Sequence, residues 1–155
     1  VRDEDLELIK RLLRVQRWGA LATLEADGAP YASAVAFAAE PEFAGFLLHL
    51  SRLAPHTSNL LADPRASLVV SDMDTGTGDP QTLPRVSLMG KAEIISREAA
   101  AFAAAKGCYL SRLPSAEPLF EFPDFLLFRL VPTEARFVGG FARARRLDAA
   151  TLRTL

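Results

Sequence analysis

The chain opens with apolar residues at helical spacing. Leu6, Ile9, Leu12 and Leu13 recur every three or four positions, preceded by Asp3, Glu4 and Asp5. That period puts them on one face of an amphipathic helix, with the carboxylates near its positive end. The pattern then turns strand-like. Ala20–Leu24 and Tyr31–Phe37 flank Glu25-Ala-Asp-Gly-Ala-Pro30, and the Asp27-Gly28 dipeptide predicts a hairpin turn. Gly45–Ser51 is a nearly continuous apolar strand. Residues 52–64 read as a loop entering a short helix that Pro64 stops, and Arg65–Ser71 as a returning strand. Val86–Ile95 alternates most cleanly, with Val86, Leu88, Ala92 and Ile94 on one face and Arg85, Ser87, Lys91 and Glu93 on the other. Ser96 then caps a helix with Glu98 in its first turn, Lys106 in its last and Gly107 just beyond. A link containing Pro114, Pro118 and Pro123 leads to the last strands, Phe125–Val131 and Arg136–Val138.

About six strands and three helices, without βαβ alternation, predict a mostly β fold: an antiparallel barrel with peripheral helices. No GxGxxG or Walker loop is present. The 155 residues suit one domain spanning 1–155. Asp72–Pro84, with Thr-Gly-Thr-Gly-Asp-Pro, is the longest loop and is expected to be the most mobile internal segment.

Composition narrows the function classes. A net charge of −1, from 18 basic and 19 acidic side chains, gives no electrostatic reason to propose nucleic acid or an anionic membrane as partner. No apolar run reaches the roughly 18 residues of a membrane span, and the first residues are not a signal peptide, so the expected compartment is the cytoplasm. Cys108 is the only cysteine, which excludes an intrachain disulfide, and two histidines are too few for a His-rich zinc site. No metal site is expected.

The densest set of polar groups is Leu50-Ser-Arg-Leu-Ala-Pro-His-Thr-Ser-Asn59, between a strand end and a helix start. Helix N-termini present unpaired N–H donors, and hydroxyls and an imidazole add donors that reach phosphate oxygens. The same residues also make an ordinary capped loop. Arg85, Ser87 and Ser33 lie on polar faces of strands, either solvated or lining a ligand or subunit interface. His49, within an apolar strand, reads as a core or interface histidine and Cys108 as inert packing. Asp72, Asp74 and Asp79 read as turn residues, and Arg143, Arg145 and Arg146 as a solvated basic cluster.

Three ordered stretches carry a resemblance: Gly28-Ala-Pro-Tyr-Ala-Ser33, Leu50-Ser through His56-Thr-Ser-Asn-Leu to Asp63-Pro-Arg-Ala-Ser-Leu68, and Arg85-Val-Ser-Leu-Met-Gly90. Together they resemble the FMN-binding split barrels of the pyridoxamine-phosphate-oxidase superfamily. Ser-x-Leu-Ala-x-His-Thr-x-Asn, Asp79-Pro80, Phe122-Pro-Asp-Phe125 and Gly140-Phe141 are most similar to its haem-utilisation branch. The resemblance implies a six-stranded antiparallel split β-barrel, acting as a homodimer with flavin at the subunit interface. Where the oxidases use Arg and Lys for the FMN phosphate, this chain has Ser33 and His56, and Arg85 stands where a flavin-contacting Gln is usual. The implied cofactor contacts are Ser33, Val35, Leu50, Ser51, His56, Thr57, Asn59, Arg85 and Phe141.

The resulting expectation is an FMN-dependent oxidoreductase of unknown small-molecule substrate, with no assignable catalytic residue. No histidine follows His56, so the oxidases' pyridoxal-phosphate element is missing and vitamin B6 oxidation is not expected. The alternatives are a non-catalytic flavin-binding module and a haem-binding or haem-degrading protein. For haem, only His49, His56, Cys108, Tyr31, Tyr109, Met73 and Met89 are available as iron ligands. The homodimer has a further motive: Phe125–Val131 is apolar on both faces except at Arg129, and a monomeric barrel would leave one face wet.

Overall fold

The computed structural model describes residues 3–155. Helix α1 (Asp3–Val15) is followed by β1 (Trp18–Leu24), β2 (Pro30–Ala36), the two-residue β3 (Ala38–Ala39), β4 (Phe46–Ser51), α2 (Pro55–Ala62), β5 (Arg65–Ser71) and β6 (Arg85–Ile94). Then come α3 (Phe102–Arg112), β7 (Phe125–Val138), β8 (Ala144–Asp148) and α4 (Ala149–Arg153). All strand pairs are antiparallel, in the order β2-β1-β5-β6-β7-β4-β3, with β8 on the free side of β7. The mostly β barrel with peripheral helices is therefore present, but among the described residues it has eight strands rather than six. Two of them, β3 and β8, are too short or too polar to show a period. The two terminal runs read from the sequence are one 14-residue strand, β7.

Strand β7 accommodates the extra length through a bulge. Met89 pairs with Glu134 but Gly90 pairs with Pro132, leaving Thr133 without a partner on β6. Backbones approach so closely there that a Cβ on Gly90 would overlap the Val131 carbonyl oxygen and lie 2.9 Å from Pro132 Cα. The position requires glycine. Beyond the bulge the strand's burial changes, and Ile94 is exposed rather than sharing the buried face of Val86, Leu88 and Ala92.

The barrel interior holds the main core. Leu21, Leu48, Leu68, Val86, Leu88, Phe128, Leu130 and Phe137 point inward, and Ile9, Leu12 and Leu13 of α1 close one end. A second, smaller core lies outside the barrel wall. There Leu47, Ile95 and Leu127 pack under Ala105 and Tyr109 of α3 and under Phe120 of the 3-10 segment Pro114–Glu121. This second layer corrects one sequence argument. On the outward face of Phe125–Val131 the chain's own α3 and 3-10 segment cover Leu127, and Phe125, Arg129 and Val131 stay only partly exposed, so this strand does not itself demand a dimer.

Helix α3 also starts later than expected. Ser96 and Glu98 pair in a turn (2.5 Å), and the helix begins at Phe102 and passes through Gly107 to Arg112. A second correction concerns charge. Arg143 and Arg145 are not a solvated cluster, because both pair with Asp5, which is fully buried in α1. They tie the β7–β8 turn to the N-terminal helix, a buried charge being tolerated only when paired.

Candidate functional site

Helix α2 packs against the inward side of the β1–β2 hairpin, and its first turns carry a polar cluster. Pro55 begins the helix, its ring suited to the first helical position where no N–H is needed. His56 Nδ1 is 2.9 Å from Ser33 Oγ on β2, and Asn59 Nδ2 donates to Thr23 Oγ1 on β1 at 3.0 Å. Between them Thr57 is wholly buried and its hydroxyl has no partner within the chain. Burial also lowers the His56 pKa from its ordinary value, favouring the neutral ring at pH 7. An unpaired buried hydroxyl costs about 1–3 kcal/mol, so the cluster has hydrogen-bonding capacity that its own residues leave unused.

Four of the anticipated contacts, Ser33, His56, Thr57 and Asn59, are thus brought together. Ser51 stands at the neighbouring strand end, accepting from Leu53 N at 3.2 Å and donating to Asp124 at 3.4 Å. Val35 and Leu50 belong to the main core. Arg85 does not join them within one chain. Ser33 is opposite Leu21, which is opposite Leu68, which is opposite Leu88, so Ser33 shares the inward face of the sheet. Arg85, three positions from Leu88, points to the other face. It donates to the carbonyls of Gln81 and Leu83 at 2.8 and 3.2 Å, bracing the long loop. Phe141, in the β7–β8 turn, is 93% exposed.

The sequence marks Arg85 and Ser87 of that other face as candidates for a ligand or subunit interface, but not the small residues beside them. Cross-strand partners Ala34, Ala20, Val69 and Ser87 form a row without charge, flanked by Ala22, Ala32 and Trp18, the last 63% exposed. The signal was present as alternating alanines in β1 and β2, but small residues carry little hydrophobic weight in a periodicity count. At one end the face dips into an open groove of about 450 Å³, floored by Ala22, Leu24, Ser67 and Met89, with Arg65 and Lys91 at its edge. Arg65 is also held by Asp63 at 2.6 Å.

The remaining titratable groups resolve simply. Asp72, Asp74 and Asp79 accept from Met73, Gly76 and Gln81 backbone N–H groups, as turn residues do. Burial raises the Cys108 thiol pKa, which keeps it protonated and unreactive. Among the described residues no group of three or more His, Cys, Asp or Glu could hold a metal ion. No helix there is long and apolar enough to cross a membrane.

Comparison with known proteins agrees with this architecture. Residues 2–151 match the family model described as CREG, beta-barrel. The chain is 34% identical over 142 residues to the chloroplastic non-canonical heme oxygenase HOZ of Arabidopsis thaliana, covering 90% of this chain and 41% of that protein. It is 26% identical over 145 residues to heme oxygenase HutZ of Vibrio cholerae, covering 93% of this chain and 81% of HutZ. A solved heme binding protein from Mycobacterium smegmatis superposes with a TM-score of 0.87 at 30% identity, covering 99% of this chain and 62% of that one. The chain therefore spans less than half of the plant relative and under two thirds of the mycobacterial one. It belongs to the CREG β-barrel family, and the resemblance to a haem-utilisation branch read from the sequence agrees with its similarity to HOZ and HutZ.

Proposed function

We propose that this chain binds haem, as part of a protein that degrades it, and does so as a homodimer joined through the alanine-rich sheet face. The observation that carries the reading is the open groove on that face. Haem is a flat apolar macrocycle bearing two carboxylates, and the groove offers an apolar floor with Arg65 and Lys91 at its edge. The macrocycle fits this donor set. An iron ligand is less well supplied: Met89 lies in the groove, while His56 faces the other side of the hairpin and His49 lies under α3. When bound, haem supplies an iron that reacts with O2 given a source of electrons. The chain's own contribution is to seat the ring, hold its carboxylates and limit water.

A second copy is the occupant best suited to the rest of the face. The Ala34–Ala20–Val69–Ser87 row is uncharged up to Arg136, its next cross-strand neighbour on β7, and Trp18 beside it is largely exposed, as at self-associating surfaces. Arg85, besides bracing the long loop, then lies on the interface side, open to a ligand held between copies.

FMN is the second reading, supported by the Ser33–His56 pair and the unpartnered Thr57 hydroxyl beside it. Titrating the purified chain separately with ferric haem and FMN tests both. A saturable Soret band that Lys91→Glu weakens supports the haem reading. Saturable flavin quenching without a Soret band overturns it in favour of FMN, and neither signal overturns both. Loss of the Soret band and release of iron with ascorbate and O2 tests degradation. Light scattering tests the dimer: Ala34→Glu should give a folded monomer, and a monomeric parent protein refutes the interface.

A further inference from the structure

A second cavity, of about 290 Å³, lies on the α3 side of the barrel, away from the bare face. It opens between β4, the end of β6 and the start of β7. Its lining is mixed: Ile95, Phe102, Phe125 and Leu127 supply apolar wall, and Ser96, Glu98 and two arginines, Arg52 and Arg97, supply polar wall. His49 forms part of the inner wall. Only 8% exposed, it is stacked on Phe120 with ring centroids 3.7 Å apart and meets the edge of Tyr109 at 5.8 Å.

His49 has no structural task that explains its polarity. Its Nδ1 is buried with no partner, whereas a phenylalanine would fill the same aromatic stack without leaving a polar atom unpaired. With no acceptor at Nδ1, the tautomer carrying its proton on Nε2 avoids a stranded donor, and leaves an N–H for a bound molecule. Arg97 gives one NH2 group to the Phe122 carbonyl at 2.7 Å, which fixes its position. Arg52 makes no side-chain hydrogen bond among the described residues. Glu98 is the single carboxylate lining the cavity and is held by Ser96, and Lys106 lies nearby over the Phe120 ring at 5.2 Å, so positive charge predominates.

We propose that this cavity is a binding site for a small organic carboxylate with an aryl or short alkyl body. The apolar part of the wall, Ile95, Phe102, Phe125 and Leu127, takes the body, Arg52 and Arg97 take the carboxylate, and His49 contributes a neutral hydrogen bond. About 150 Å³ accommodates a benzene molecule, so 290 Å³ admits an aryl ring with a carboxylate arm. The site is independent of haem binding.

The test is a titration of the chain with phenylacetate and hexanoate, read on the ring nitrogens of its two histidines by heteronuclear NMR, with His56→Gln assigning the pair. Expected are saturable shifts of the His49 resonances with a Kd below about 1 mM, and at least tenfold weaker binding of the uncharged phenylacetamide, about 1.4 kcal/mol. Arg52 is exposed, so Arg52→Ala should leave the fold intact, weaken phenylacetate about tenfold and leave phenylacetamide unchanged. Absence of a saturable shift up to about 10 mM, a Kd far above 1 mM, equal binding of acid and amide, or an unaffected Arg52→Ala variant overturns the proposal. Saturating ferric haem should not displace phenylacetate; displacement would make the cavity part of the haem site and overturn its independence.

Discussion

His49 should add a separable share to the acid destabilisation of the protein, and the amount follows from its surroundings. His49 is enclosed by Phe120, Tyr109 and Phe125, with the cations Arg97 and Lys106 near enough to oppose a further positive charge. Burial first, and those two cations second, lower its pKa from 6.5 to about 4. The Tyr109 phenol cannot compensate, since burial pushes its own pKa up to about 12 and it stays neutral. Arg52 and Glu98, of opposite charge, line the same cavity as His49. The unfolded chain therefore binds a proton at His49 that the folded chain refuses, between pH 6.5 and about 4. Stability is fully present above the unfolded pKa and falls as pH drops through that window. At 1.36 kcal/mol per pH unit the loss is about 3 kcal/mol, a large share of a small domain's total. The assay is urea denaturation of the parent and His49→Phe at pH 7.5, 6, 5 and 4. Other carboxylates and His56 titrate equally in both proteins, so the difference isolates His49. The parent should lose about 3 kcal/mol relative to His49→Phe between the two ends. Parallel stability curves would refute the reasoning.

Three further outcomes are expected. Gly90→Ala should cost more than about 2 kcal/mol by chemical denaturation, because the added Cβ meets backbone that no rotamer change can move. Arg129→Met should cost about 2–3 kcal/mol by the same measurement, since it strands the buried Glu40 carboxylate now held by two 2.6 Å bonds. Amide exchange in Asp72–Pro84, held by a 3-10 turn, Asx-type bonds and Arg85, should be faster than in Val86–Leu88 of the barrel wall. Equal protection would show that Arg85 and Asp79 order the loop fully.

Strong periods were legible and weak ones were not. Leu6, Ile9, Leu12 and Leu13 announced α1 because four large side chains share one face, and Asp27-Gly28 announced the hairpin because glycine there has a φ of 85°. Strand β3 has only two residues, and β8, Ala-Arg-Arg-Leu-Asp, has one buried side chain to mark it. Ser96 had the chemistry of a helix cap, but its hydroxyl closes a turn with Glu98 six residues before α3 begins. At the site, Ser33, His56, Thr57 and Asn59 could be gathered from sequence because three of them lie within four positions on one short helix. The outward turn of Arg85 could not, since it depends on a register running through four strands. Asp5 was misleading for a related reason: an acidic residue in a first helical turn ordinarily faces water, and only the fold brings Arg143 and Arg145 to it.

The division of the barrel into faces orders the functional proposals. The α2 cluster looks inward, the alanine-rich face is bare, and the His49 cavity lies beneath the chain's own second layer. A ligand touching both Arg85 and His56 must then lie at the edge of an interface between copies, because no single copy offers both on one surface. Disrupting the dimer with Ala34→Glu should consequently weaken any ligand that needs that shared edge, while phenylacetate in the His49 cavity is unaffected. If both bindings fall together, the substitution has damaged the barrel itself. If neither falls, the ligand is held within one protomer and Arg85 has no part in binding it.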